Sequence, residues 1–138
     1  MEHPISNLYY ALGEACYAIA ISDGEVQLEE KNKLGDILKK EFSQSIGRNI
    51  DETSIIFQIL NKEKSNAQTA MEWAVKEIKT NGHYLSTDLK CHFISTMIKV
   101  ADSFAPITSE EKKMLLNFIS EIIDLHEDKL LSKDTRDK

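Results

Sequence analysis

The chain has 138 residues, of which 41% are hydrophobic and 29% charged, the proportions of a single soluble globular domain with its own core. Lys and Arg number 17 against 23 Asp and Glu, a net charge of -6. The lysines are interleaved with acids and no basic face forms, which argues against nucleic acid or an anionic membrane as a partner.

Pro4 to Ser22 reads as a first helix. Ile5, Leu8, Leu12, Ala15 and Ile19 recur at spacings of three and four and share one face. Pro4 suits a helix start, and Asp23-Gly24 ends the helix because glycine accepts the left-handed conformation that closes it. Tyr9, Tyr10 and Tyr17 lie on or beside this helix. Tyr10 and Tyr17 share a side away from the main stripe, where they either pack against another hairpin or form a partner surface.

A second helix spans about 27 to 45, with Leu34, Ile37, Leu38, Phe42 and Ile46 inward. Glu29, Glu30, Lys31, Lys33, Lys39 and Lys40 form its solvated face. Asp51 to Lys62 reads as a third helix carrying Ile55, Ile56, Ile59 and Leu60, with Asn49 or Asp51 as its cap. The polar break Glu63-Lys64-Ser65-Asn66 separates it from a fourth helix. That helix has Ala67, Ala70, Met71, Ala74 and Ile78 on one stripe and stops at Asn81-Gly82. Trp73 lies off the stripe and reads as partly buried packing, not as a binding anchor.

Ser86 caps a fifth helix, whose apolar face is Leu89, Phe93, Met97, Val100 and Phe104. Pro106 cannot extend it regularly, so a turn falls near 103–107. Thr108-Ser109-Glu110-Glu111 then spells a capping box. It opens a sixth helix with Leu115, Phe118, Ile119, Ile122 and Ile123 inward. No segment alternates with period two. The predicted fold is all-α, a compact single-domain bundle of about six or seven helices over residues 1–131, with 132–138 as a fraying charged tail.

Cys16 and Cys91 sit inside helical patterns and read as small buried hydrophobes, neither a CxxC pair nor a disulfide framework. The N-terminus has no basic region followed by an apolar run, and Ala15 to Ile21 is far too short to span a bilayer. A cytoplasmic location without membrane contact is expected.

The first helix and its turn, Ile19-Ala20-Ile21-Ser22-Asp23-Gly24-Glu25-Val26 with Glu29-Glu30-Lys31 beyond, have an echo about eighty residues later. There Val100-Ala101-Asp102 leads through Ile107 to Glu110-Glu111-Lys112. The echo implies two helical hairpins around a pseudo-two-fold axis, with Val26 and Ile107 dipping into a shared core. A calcium EF-hand is rejected, because its first and third loop positions need oxygen ligands and Ile19 and Ile21 stand there.

Two readings of these acids remain. Asp23, Glu25, Glu29 and Glu30, joined by Asp102, Glu110 and Glu111, supply an all-oxygen set suited to calcium, magnesium or manganese if the hairpins bring them together. Alternatively, the acids complement helix macrodipoles and Asp23 caps its turn. His3, His83, His92 and His126 show no metal-ligand spacing. No nucleophile elbow or phosphate loop is present, so no enzymatic activity is expected and a protein partner is.

The run Ile19 to Val26, followed by Glu29-Glu30 and a leucine-bearing helix, resembles the TerB-like proteins: the tellurite-resistance TerB group and the N-terminal regions of DjlA-type membrane co-chaperones. The resemblance implies an all-helical domain with internal two-fold similarity and an acidic cluster for a divalent metal; a link to stress or tellurite resistance is the expectation that goes with the metal-binding reading, since a fold does not by itself fix function. By position, that cluster is Asp23, Glu25, Glu29 and Glu30, with Asp102, Glu110 and Glu111 from the second half. Ser103-Phe104-Ala105-Pro106 departs from the pattern, since a glycine and an acid belong there. With no anchor before the first helix and no J-domain after the last, the chain looks like a free-standing TerB-like domain.

Overall fold

The computed structural model describes residues 3–22, 28–42, 50–103 and 108–125. Among them are six α-helices, α1 (Pro4–Ile21), α2 (Leu28–Glu41), α3 (Ile50–Glu63), α4 (Ala67–Thr80), α5 (Thr87–Ser103) and α6 (Ser109–Ile122), with a 3-10 turn at Gly82–Tyr84. No strand occurs among the described residues. No described helix is long and apolar enough to cross a membrane.

The bundle is built around α1, against which α3, α4, α5 and α6 all pack. Its sequence explains why. From Pro4 to Ile21 the only charged residue is Glu14, and a helix apolar on nearly every side is stable only when surrounded. Leu8, Leu12, Ala15 and Ile19 are buried as their spacing predicts, but so are Tyr9 and Tyr17. Tyr10 alone of the three tyrosines reaches solvent, so the Tyr10–Tyr17 surface does not form. Tyr9 meets Phe42 and Phe93 edge-on at 5.5 and 5.6 Å, joining α1 to the end of α2 and to the body of α5.

Gly13 lets α3 cross α1 closely. A Cβ there would overlap the Thr53 carbonyl oxygen and the Ile56 side chain. Around this crossing, buried Thr53 donates its hydroxyl to the Tyr9 carbonyl at 2.8 Å, and Tyr17 stacks edge-on against Phe57 at 6.0 Å. Thr53, Phe57 and Leu60 therefore face inward. Ile55 and Ile59, expected in the core, stand 49% and 44% exposed, because two-residue offsets on a helix point nearly oppositely.

The corners use local chemistry. α3 ends with Lys64 at φ 55°, and the Lys64 and Ser65 amides donate back to the Asn61 and Leu60 carbonyls at 3.2 and 3.0 Å. This is the Schellman arrangement, in which glycine is the usual left-handed residue. The Ser65 carbonyl then accepts the Tyr17 hydroxyl at 2.6 Å. Asn66 caps α4 by accepting the Thr69 amide, and Ser86 caps α5 through the Leu89 amide at 3.0 Å. Asp51 falls inside the first turn of α3 instead of capping it; Asn49, Ile46 and Phe104 lie outside the described residues.

α5 and α6 form an antiparallel hairpin closed by a buried lysine. Lys90 donates to the carbonyls of Ile123 and Leu125 at 2.7 and 2.8 Å, serving the acceptors that a helix C-terminus leaves without amides. Phe93, Met97 and Val100 of α5 and Phe118 and Ile122 of α6 are buried. Ile123, expected inward, is exposed, since it lies one residue past Ile122 and about 100° round the helix. The same geometry corrects Cys91, which is exposed, whereas buried Cys16 contacts Met97 through sulfur at 3.8 Å.

Candidate functional site

The acidic joint singled out by the sequence is described only in part. Asp23, Glu25 and the side chain of Glu30 lie outside the described residues. Glu29 on α2, Asp102 on α5 and Glu110 on α6 are exposed. Glu111 is buried within the capping box: it accepts the Thr108 amide at 2.9 Å while its own amide donates to the Thr108 hydroxyl at 3.1 Å. Lys33 Nζ donates to the Ser103 carbonyl at 3.0 Å, which sets the start of α2 beside the end of α5. Among the described residues, no three His, Cys, Asp or Glu side chains gather as a metal-ligand group.

A second cluster joins α2 to α5. Glu41 Oε2 lies 2.7 Å from His92 Nδ1, and its Oε1 accepts Ser95 Oγ at 3.0 Å and Lys99 Nζ at 2.6 Å. Residues 92, 95 and 99 are three and four apart and so share one face of α5. Burial alone would raise the Glu41 pKa, but the hydrogen bonds from Lys99, His92 and Ser95 outweigh it and hold the carboxyl below its ordinary value. Serine and histidine both turn to the carboxylate. A nucleophile and its base would instead be bonded to each other, so the cluster reads as a clasp between helices.

The third cluster lies on the face shared by α1 and α4. A cavity of about 290 Å³ there is lined by Glu14, Trp73, Lys76, Glu77 and Thr80. Glu14 is half-buried; desolvation first, then the charge of Glu77, pushes its pKa up to about 7. Glu77 is oriented from below by Asn81, whose Nδ2 donates to Glu77 Oε2 at 2.9 Å and to its carbonyl at 2.8 Å. Trp73, expected to be partly buried, is 57% exposed. The reason is positional: Ala70, Met71, Ala74 and Ile78 already fill the inward face of α4, and position 73 points away from it.

Sequence reasoning passed over Glu14, although a sole charge in an otherwise apolar helix is a usable signal for a perturbed group. The other side of α4 carries a larger groove of about 520 Å³ against α6, bounded by Met71, Val75, Asn117 and the Lys79–Glu121 ion pair. Comparison with protein-family models, curated proteins and solved structures returns no match.

Proposed function

We propose that the chain is a non-catalytic helical interaction module that receives a basic segment of a protein partner on the α1–α4 face. The observation that carries this reading is Trp73. It is the chain's one tryptophan, and 57% of it stands in solvent beside two carboxylates. An indole left outside the core gives up burial that would otherwise stabilise the fold. When covered by a partner, tryptophans often supply much of the binding energy. With Glu14 ionised, Glu14 and Glu77 outnumber Lys76 in the cavity beside it, and together with the net charge of -6 they favour a positively charged partner and steer its approach. On this reading Glu110 and Glu111 serve the start of α6 as first-turn acids and cap.

The test is the anisotropy of a labelled Lys/Arg-rich peptide titrated with the full chain. Saturable binding is expected, weakened about tenfold or more by Trp73→Ala, with no binding of an acidic peptide of equal length. Equal affinities for wild type and variant, or no binding by either, would sink the proposal.

The Lys33–Ser103 hydrogen bond favours a second reading, because it draws together the helix ends that carry the two acidic joints. Under it, the chain is a cytosolic, stress-linked TerB-like domain. Its α1–α2 and α5–α6 hairpins are related by a pseudo-two-fold axis, and Asp23, Glu25, Glu29, Glu30, Asp102, Glu110 and Glu111 serve calcium, magnesium or manganese. Calorimetric titration of the three ions into wild type and Asp23→Asn tests it. Failure of all three to bind the wild type removes this reading.

A further inference from the structure

The α1–α4 cavity has more definite chemistry than a generic docking face, and the inference drawn from it rests on the interaction-module reading. We propose that the cavity is an alkylammonium site, in which Glu14, Glu77 and Thr80 accept the three N–H donors of an R–NH3+ head while Trp73 covers its alkyl stem.

Three features select this ligand. The cavity offers two carboxylates and one hydroxyl, which matches the three donors of an ammonium group. The exposed indole supplies a π face and an apolar wall, which attract an organic cation; a calcium ion would instead require six or more oxygens. The volume of about 290 Å³ takes a head and stem but not a folded element.

Lys76 faces the cavity beside Glu77 and Glu14, so the site is neutral when Glu14 is protonated and singly negative when Glu14 is ionised. With its pKa near 7, Glu14 holds a proton for much of the time at neutral pH. An arriving ammonium replaces that proton: Glu14–COOH plus R–NH3+ gives the carboxylate–ammonium pair and one H+ released to solvent. Occupancy is therefore coupled to pH, and apparent affinity scales with the ionised fraction of Glu14, about tenfold between pH 6 and pH 8.

Calorimetry on the full chain tests the site with n-butylammonium chloride in two buffers of different ionisation enthalpy. A parallel arm compares a lysine-bearing peptide with its norleucine counterpart. Expected results are saturable butylammonium binding, proton release, about tenfold tightening from pH 6 to pH 8, and preference for the lysine peptide. Glu14→Gln, whose folding is checked by its melting curve, should abolish both proton release and pH dependence. Butylammonium binding without peptide binding keeps the site, assigns it to free amines and removes the interaction-module reading. Peptide binding that is unchanged in Glu14→Gln and releases no proton overturns the site and leaves that reading intact. No saturable butylammonium binding with equal affinities for the two peptides also overturns the site.

Discussion

Lys64 occupies a left-handed position, φ 55°, at the corner between α3 and α4, where a Cβ is sterically unwelcome. The corner tolerates it because two backbone bonds close the helix and the Tyr17 hydroxyl holds the next carbonyl. Lys64→Gly should relieve the strain and raise stability by about 0.5–1 kcal/mol, net of the entropy glycine gains when unfolded. Denaturant midpoints measure this, and a lower midpoint for the variant would count against the strain. Glu14 stores free energy differently. Its pKa is raised from 4.5 to about 7 in the folded chain, so the folded state holds the proton more tightly. Stability therefore falls as pH rises from about 4.5 to about 7 and levels off above that. Glu14→Gln should remove this slope and exceed wild type by about 1 kcal/mol at pH 8, a figure reduced from the full shift because the side chain is partly solvated. Urea melts across the pH range would reveal a slope that persists in the variant, if one exists.

At the scale of elements, α2 and α5 are held by the Glu41 clasp and by Lys33 at its other end. The Glu41 carboxyl sits below its ordinary pKa of 4.5, the opposite of Glu14. Its contribution is complete above that value and is lost as pH falls through the lowered folded pKa. Glu41→Gln should cost about 1–2 kcal/mol near neutrality, since Lys99 and His92 are partly exposed. The deficit should vanish in acid, and thermal melts at the two pH values check it. What the sequence makes legible at this scale is local. The Ser86 and Thr108 caps, Pro4 at the first turn and the inward stripes of α4 and α5 are written in neighbours three and four apart. Contacts distant in sequence leave no such trace. Glu41 meets α5 across more than fifty positions and Lys90 reaches the end of α6, and neither has a periodic signature. α3 misleads for a related reason. Its isoleucines compose two possible stripes, and only the close crossing at Gly13 selects the one through Thr53 and Phe57.

For the molecule as a whole, the organising fact is the near absence of charge in α1, which makes it the helix the others surround. That centrality was only half legible: the stripe of Leu8, Leu12, Ala15 and Ile19 marks one inward face, whereas burial of Tyr9 and Tyr17 depends on helices arriving from other sides. It also explains the α1–α4 site, since the one carboxylate of a surrounded helix must either find a partner or hold a proton, and Glu14 lies by Glu77 and Trp73. On the interaction-module proposal, Trp73, exposed beside Glu14, Glu77 and Lys76, is covered by a cationic partner. Collisional quenching of the single tryptophan's fluorescence tests it most directly, using caesium as a positive quencher and iodide as a negative one. Normalised to the quenching of free N-acetyltryptophanamide by each ion, Trp73 should be quenched relatively more by caesium than by iodide at pH 8, where Glu14 is ionised, and saturation with the Lys/Arg-rich peptide should protect it from caesium. Emission that neither ion quenches, or caesium quenching untouched by the peptide, would contradict it.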